Sequence, residues 1–181
     1  MYCCYQDPGN STRISHTDKK LHDLYAGRSN KTIAFIVHGF LNHYSYESMW
    51  NRTRDGFLQR GNDVIAVDWS RGNRLYPQAM ANVRVIGALI GRLISTMGIS
   101  GQSYCVGFSL GAHVCGEAGA WLQRQGSTLD KCIGIDPAGP GFDGCGNDIR
   151  LDPSDCRVVT AIHTSQFVEM LGFVLREIVE R

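Results

Sequence analysis

The stretch Ser103-Tyr104-Cys105-Val106-Gly107-Phe108-Ser109-Leu110-Gly111-Ala112-His113 decides how this chain folds. Its opening run is apolar at nearly every position, as a strand covered on both faces requires. From Leu110 to Gln123 the pattern turns helical. Between the two lies Gly107-x-Ser109-x-Gly111, the sequence of a nucleophile elbow in its required strand–turn–helix context. The flanking glycines let the chain turn sharply and let the helix pass close to the strand. A serine placed there sits at the positive end of a helix, where developing negative charge is favoured. Stripped of the strand and the helix, the same residues would read equally well as a Gly-rich turn with an incidental serine.

Working outward, further apolar runs rich in β-branched residues predict strands at Thr32–Val37, Asp63–Trp69, Lys131–Ile135 and Arg157–Ile162. Helical patterns fall between them, at Ser45–Gln59 and at Gln78–Met97. The second places Val83, Ile86, Ile90, Leu93 and Met97 on one stripe and stops at Gly98. This alternation predicts an α/β fold with a mostly parallel, doubly wound sheet. No repeat or linker breaks the chain, so residues 1–181 are expected to form one domain. With 43% hydrophobic and 19% charged residues, a disordered segment is excluded. A net charge of +1 supplies no electrostatic argument for nucleic acid. No apolar run reaches the roughly 18 residues of a transmembrane segment.

A serine nucleophile needs an oxyanion hole and an acid–base pair. The backbone N–H of Leu110, next after the serine, is one expected donor. The other is the N–H of Phe40, in His38-Gly39-Phe40 at the end of the first predicted strand. His38 is expected to pack beside that loop rather than act as a base. Asp136, in Ile135-Asp136-Pro137, stands at the same sheet edge as Ser109, which favours an acid over a simple turn former.

Six segments in order then resemble the pancreatic-type lipase family, the animal triacylglycerol lipases and sn-1 phospholipases. They are His38-Gly39-Phe40, Asp68-Trp69-Ser70, Gly107 to His113, Ile135-Asp136-Pro137-Ala138-Gly139-Pro140, Arg150-Leu151-Asp152-Pro153-Ser154-Asp155 and Ile162-His163-Thr164. The resemblance covers about residues 2–165. It implies an α/β-hydrolase fold and a secreted esterase that attacks a lipid ester at an interface, through an acyl-enzyme and a Ser–Asp–His triad. It makes Ser109 the nucleophile, Asp136 the acid, and the amides of Phe40 and Leu110 the oxyanion hole. It also implies a calcium ion held by the carboxylates of Asp152 and Asp155 and the carbonyls of Asn147 and Arg150. Hard oxygen donors suit that ion, although the residues alone read first as a capped turn. The choice between acylglycerol and phospholipid, and any protein partner, stay open.

The pattern breaks at the base. Of the six histidines, only His163 follows Asp136, and the resemblance makes it a supporting element. The family's catalytic histidine lies well beyond, so the C-terminal part of the fold is expected to be missing. Without a base, turnover should fall by ~10⁴–10⁶-fold. The alternative reading is an inactive lipase-like protein that binds lipid or a partner. Past Thr164, Phe167, Val168, Leu171, Val174, Leu175 and Ile178 repeat at helical spacing, a divergent tail over 166–181.

None of the seven cysteines stands in a zinc spacing. Cys105, Cys115 and Cys132 read as unpaired buried hydrophobes, and Cys145 with Cys156 is the candidate bridge. Sequons at Asn10, Asn30 and Asn51 lean towards a secreted glycoprotein, although the first residues lack a signal-peptide pattern.

Overall fold

Five short apolar runs lie side by side and parallel at the centre of the molecule. The computed structural model describes residues 2–7, 10–14, 31–43 and 49–164. The elements are β1 (Tyr2–Asp7), β2 (Asn10–Ile14), β3 (Ile33–Val37), α1 (Met49–Gln59), β4 (Asp63–Val67), α2 (Tyr76–Met97), β5 (Ser103–Phe108), α3 (Leu110–Arg124), β6 (Lys131–Ile135) and β7 (Val158–Ile162). The sheet order is β2-β1-β4-β3-β5-β6-β7. Strands β4 to β7 in that order are parallel, while β1 and β2 add an antiparallel edge. The chain steps from β3 to β4 on one side and returns from β4 to β5 on the other. The carboxyl ends of β3 and β5 therefore flank a topological switch point, where open α/β sheets bind ligands.

Alternation along β3 divides the core. Ile33, Phe35 and Val37 face one side with Val83, Ile90, Val114 and Ala118 of α2 and α3. Ala34 and Ile36 face the other, under Trp50, Phe57 and Leu58 of α1. Helices cover both faces, which is why the central strands are apolar throughout.

Helix α2 starts earlier than its periodicity suggests, because Pro77 suits a first helical turn. It ends at Gly98 in the left-handed conformation, as expected. Its buried stripe is Ala79, Val83, Gly87, Ile90, Gly91 and Ile94, with Ile86, Leu93 and Met97 packed at the margin. A Cβ at Gly87 would lie 2.6 Å from Glu117 Cβ, and one at Gly91 would lie 2.9 Å from Ala118 O. The two helices touch through their backbones there. By length and composition α2 could cross a membrane, yet its buried stripe is spent on α3 and the sheet.

Three expectations change. Strand β4 stops at Val67, because Trp69 turns away to bond His38. Strands β1 and β2 were not foreseen. The cysteines pair differently: Cys105 bonds Cys115 and Cys132 bonds Cys156, while Cys145 keeps a free thiol. The candidate Cys145–Cys156 bridge is thereby ruled out, as is the reading of the other three as unpaired. Register explains the change: Cys105 and Cys132 are opposite one another on β5 and β6, so Cys115 and Cys156 each meet a partner beneath α3. The helix expected over 166–181 and the sequon at Asn30 lie outside the described residues.

Candidate active site

The site assembles from three loops at the carboxyl ends of β3, β5 and β6. Ser109 caps α3 with φ 54° and ψ −120°. Among the described residues, the non-glycine residues with positive φ are Leu41, Ser109 and Asp136, one on each loop. Such backbone persists only where the surroundings over-determine it, and it gathers at functional sites. The elbow shows how. A Cβ at Gly107 would fall 2.0 Å from Gly111 O, and one at Gly111 would fall 2.3 Å from Val37 O. Only glycine lets the strand, the turn and the helix close this tightly.

The loop after β3 presses on Ser109. A Cβ at Gly39 would stand 3.0 Å from Ser109 Cβ, so the loop of His38-Gly39-Phe40 runs directly against the elbow. The amide of Leu110, first in α3, has no intrahelical partner. The Ser109 amide is committed to Ile135 O at 3.0 Å, which ties the elbow to the strand leading to Asp136.

His38 is buried and structural. Its Nε2 accepts the Trp69 amide at 3.0 Å, and its carbonyl accepts Trp69 Nε1–H at 2.8 Å. Its ring stacks on the indole at 5.6 Å between centroids. Asn73 Nδ2 donates to Gly39 O at 3.0 Å and to Asn42 O at 3.3 Å, pinning the rest of the loop. Its contact with the His38 ring first, and hydrogen bonds from Ser70 next, hold the Asp68 carboxyl well below its usual range against the opposing effect of burial.

Asp136 is positioned by the chain that follows β7. Its amide donates to Ile162 O at 2.7 Å. Both the amide and the hydroxyl of Thr164 donate to its carboxylate. The segment Ile162-His163-Thr164 is visible in the sequence, but the clamp is not, since nothing local shows which side chain Thr164 bonds. Tyr76 was missed as well. It meets Phe40 edge-on at 5.1 Å and donates its hydroxyl to Pro140 O at 2.7 Å, joining the Phe40 and Asp136 loops.

His113, one turn into α3, is a second strut. Its Nδ1 accepts the Leu151 amide at 3.0 Å, and its Nε2 lies 2.7 Å from Ala138 O. An acceptor at Nδ1 leaves the proton on Nε2, which then donates to that carbonyl. The ring stacks on Phe142 at 3.8 Å. Burial pushes this imidazole down to about 4, so it is neutral at physiological pH. His163 is exposed and makes no hydrogen bond among the described residues. No imidazole among them bonds Ser109.

The acidic loop packs on α3, where a Cβ at Gly116 would lie 2.6 Å from Asp155 Oδ2. Asp152 and Asp155 are both buried. Asp152 Oδ1 accepts the Ser154 amide at 2.9 Å and hydroxyl at 2.7 Å, while Asp155 Oδ2 accepts the Asp152 amide at 2.7 Å. Burial first, with repulsion from Asp152 and Glu117, pushes the Asp155 carboxyl up to about 7. Asn147 and Arg150 are exposed, their side chains 3.3 Å apart.

A family model described as Lipase matches residues 3–179. The chain belongs to the Lipase family. The match includes most of the stretch after Thr164 that the motifs alone set apart as divergent. This Lipase-family chain is 38% identical to pancreatic triacylglycerol lipase of Oryctolagus cuniculus over 96% of its own length and 38% of that protein. It is 36% identical to pancreatic lipase-related protein 2 of Rattus norvegicus, over 93% and 37% respectively. It thus spans under two-fifths of the length of these curated relatives. Thermogutta terrifontis esterase 2 overlays with a TM-score of 0.44 and 14% identity, over 82% of this chain and 58% of that one. Family membership rests on the sequence matches.

Proposed function

We propose that this Lipase-family chain carries the nucleophile, acid and oxyanion parts of a serine carboxylic ester hydrolase acting on acylglycerols or phospholipids. The observation that carries the reading is strained backbone at Leu41, Ser109 and Asp136, on three loops that converge at one sheet edge. Ser109 Oγ attacks the ester carbonyl, the amides of Phe40 and Leu110 receive the oxyanion, and water then releases the acyl group. Asp136, clamped by Thr164, orients the base. His38 and His113 are both bonded within the framework, so neither is available as that base. The inactive-relative reading gains nothing from the fold, because a chain with no catalytic task has no reason to keep strain at these three positions.

For calcium, the donor set fits. Two buried carboxylates each commit one oxygen inside the loop and keep the other free of hydrogen bonds among the described residues. Asp152 and Asp155, with the carbonyls of Asn147 and Arg150, would hold the ion, which would neutralise buried negative charge and fix the loop against α3. The two buried disulfides support an oxidising, extracellular setting.

Hydrolysis of p-nitrophenyl butyrate, with and without added imidazole, tests the division of labour. Turnover should be slow, should rise with free imidazole, and should lose that rise in Ser109→Ala. An imidazole effect of equal size in Ser109→Ala would overturn the reading.

A further inference from the structure

Both disulfides lie beneath α3, side by side. All four half-cystines are buried, with Cys105, Cys115 and Cys132 at 0% exposure. Cys105 and Cys132 are register partners on β5 and β6, and Cys132 Sγ lies 3.6 Å from Cys115 O. Their places in the chain are unequal. Cys105 stands on β5 and Cys115 on α3, so the bond between them, with Cα atoms 5.4 Å apart, encloses the whole elbow from Gly107 to Gly111. The Cys132–Cys156 bond, with Cα atoms 5.9 Å apart, joins β6 to the end of the acidic loop. Gly119 of α3 makes room for it, since a Cβ there would lie 2.8 Å from Cys156 Sγ.

An elbow is a costly conformation closed by a short loop, and a covalent link across its two arms removes the open states that would relax it. We propose that the Cys105–Cys115 disulfide is a redox-sensitive staple that holds the nucleophile elbow in shape. Its consequence for catalysis rests on the reading of Ser109 as nucleophile. A dithiol is the reductant by class. One of its thiolates attacks a half-cystine, forming a mixed disulfide and releasing a cysteine thiolate. Its second thiolate then displaces the other cysteine, leaving two protein thiols and the oxidised, cyclic dithiol. Two electrons pass from the dithiol to the protein, and air or a disulfide oxidant reverses the step. Burial makes the bridge accessible only on local opening, so the elbow is held by default and released under strongly reducing conditions.

The test uses the intact chain in oxidised form, after dithiothreitol, and after reoxidation. Peptide mapping without reduction should recover Cys105 linked to Cys115, and Cys145 should alkylate in the native protein. Hydrogen exchange should then show the elbow amides, Ser109 included, exchanging on the order of 100-fold faster after reduction and in C105A/C115A. Amides of β3 should change far less, and reoxidation should restore the wild type. C132A/C156A should leave the elbow amides nearer the oxidised values than C105A/C115A does. Free thiols at Cys105 and Cys115, or equal changes in the elbow and β3, would overturn the staple. The two readings fail separately. If the exchange pattern holds but Ser109 takes no fluorophosphonate in the oxidised chain, the esterase reading fails and the staple stands.

Discussion

The turn at Ser109 closes because Gly107 and Gly111, two residues to either side, have no Cβ to obstruct it. The distances set the cost of change. With Gly111 O only 2.0 Å from a Cβ at Gly107, Gly107→Ala forces the helix off the strand and should cost at least about 3 kcal/mol. Urea unfolding, or loss of soluble protein, checks this. His113 makes a pH prediction. Its ordinary value of 6.5 falls to about 4 in the fold. Between those values the unfolded chain binds a proton that the folded chain does not. Stability is therefore full above about pH 6.5 and declines as the pH falls towards 4, by about 3 kcal/mol from this group. Urea unfolding at pH 4.5 and 7.5 should show a shallower acid decline in His113→Gln. An unchanged slope would count against the strut.

Among the helices, glycine-to-alanine changes should have opposite signs according to what faces them. Gly56 in α1 has nothing within 4 Å of its missing Cβ, so Gly56→Ala should stabilise by about 0.5–1 kcal/mol. Gly87 in α2 is pressed on Glu117 and Val114 O of α3, so Gly87→Ala should destabilise despite the better helix propensity. Thermal or urea unfolding of the pair separates the two effects. The elements legible in the sequence are those whose burial leaves a periodic signature, β3 to β7 and the three helices. Tyr2–Asp7 and Asn10–Ile14 are different. They are short antiparallel additions at the margin of the sheet, β1 bonded to β4 and β2 to β1, and neither carries the β-branched apolar run of the parallel strands. The Thr164 clamp and the disulfide pairing depend on register between distant strands, which local pattern does not carry.

For the whole molecule, charge and crosslinks decide behaviour that no single element controls. The calcium site proposed for the two buried carboxylates of the acidic loop makes a prediction for the fold. Millimolar calcium should raise Tm by several degrees, and Asp152→Asn or Asp155→Asn should abolish the rise. Magnesium, which wants a smaller octahedral shell, should do less. A calcium response that persists in both variants would move the ion elsewhere. The elbow is legible in the sequence as five residues and the loop His38-Gly39-Phe40 as three. Their convergence, and the wedge of Gly39 against Ser109, belong to the sheet order and emerge only in the fold. We propose that this convergence makes Ser109 a nucleophile. The most direct test is peptide mass spectrometry after incubation with a fluorophosphonate, with and without imidazole. The predicted result is an adduct on Ser109 alone, formed faster with imidazole and absent in Ser109→Ala. No adduct under either condition, or an adduct at another residue, would contradict it.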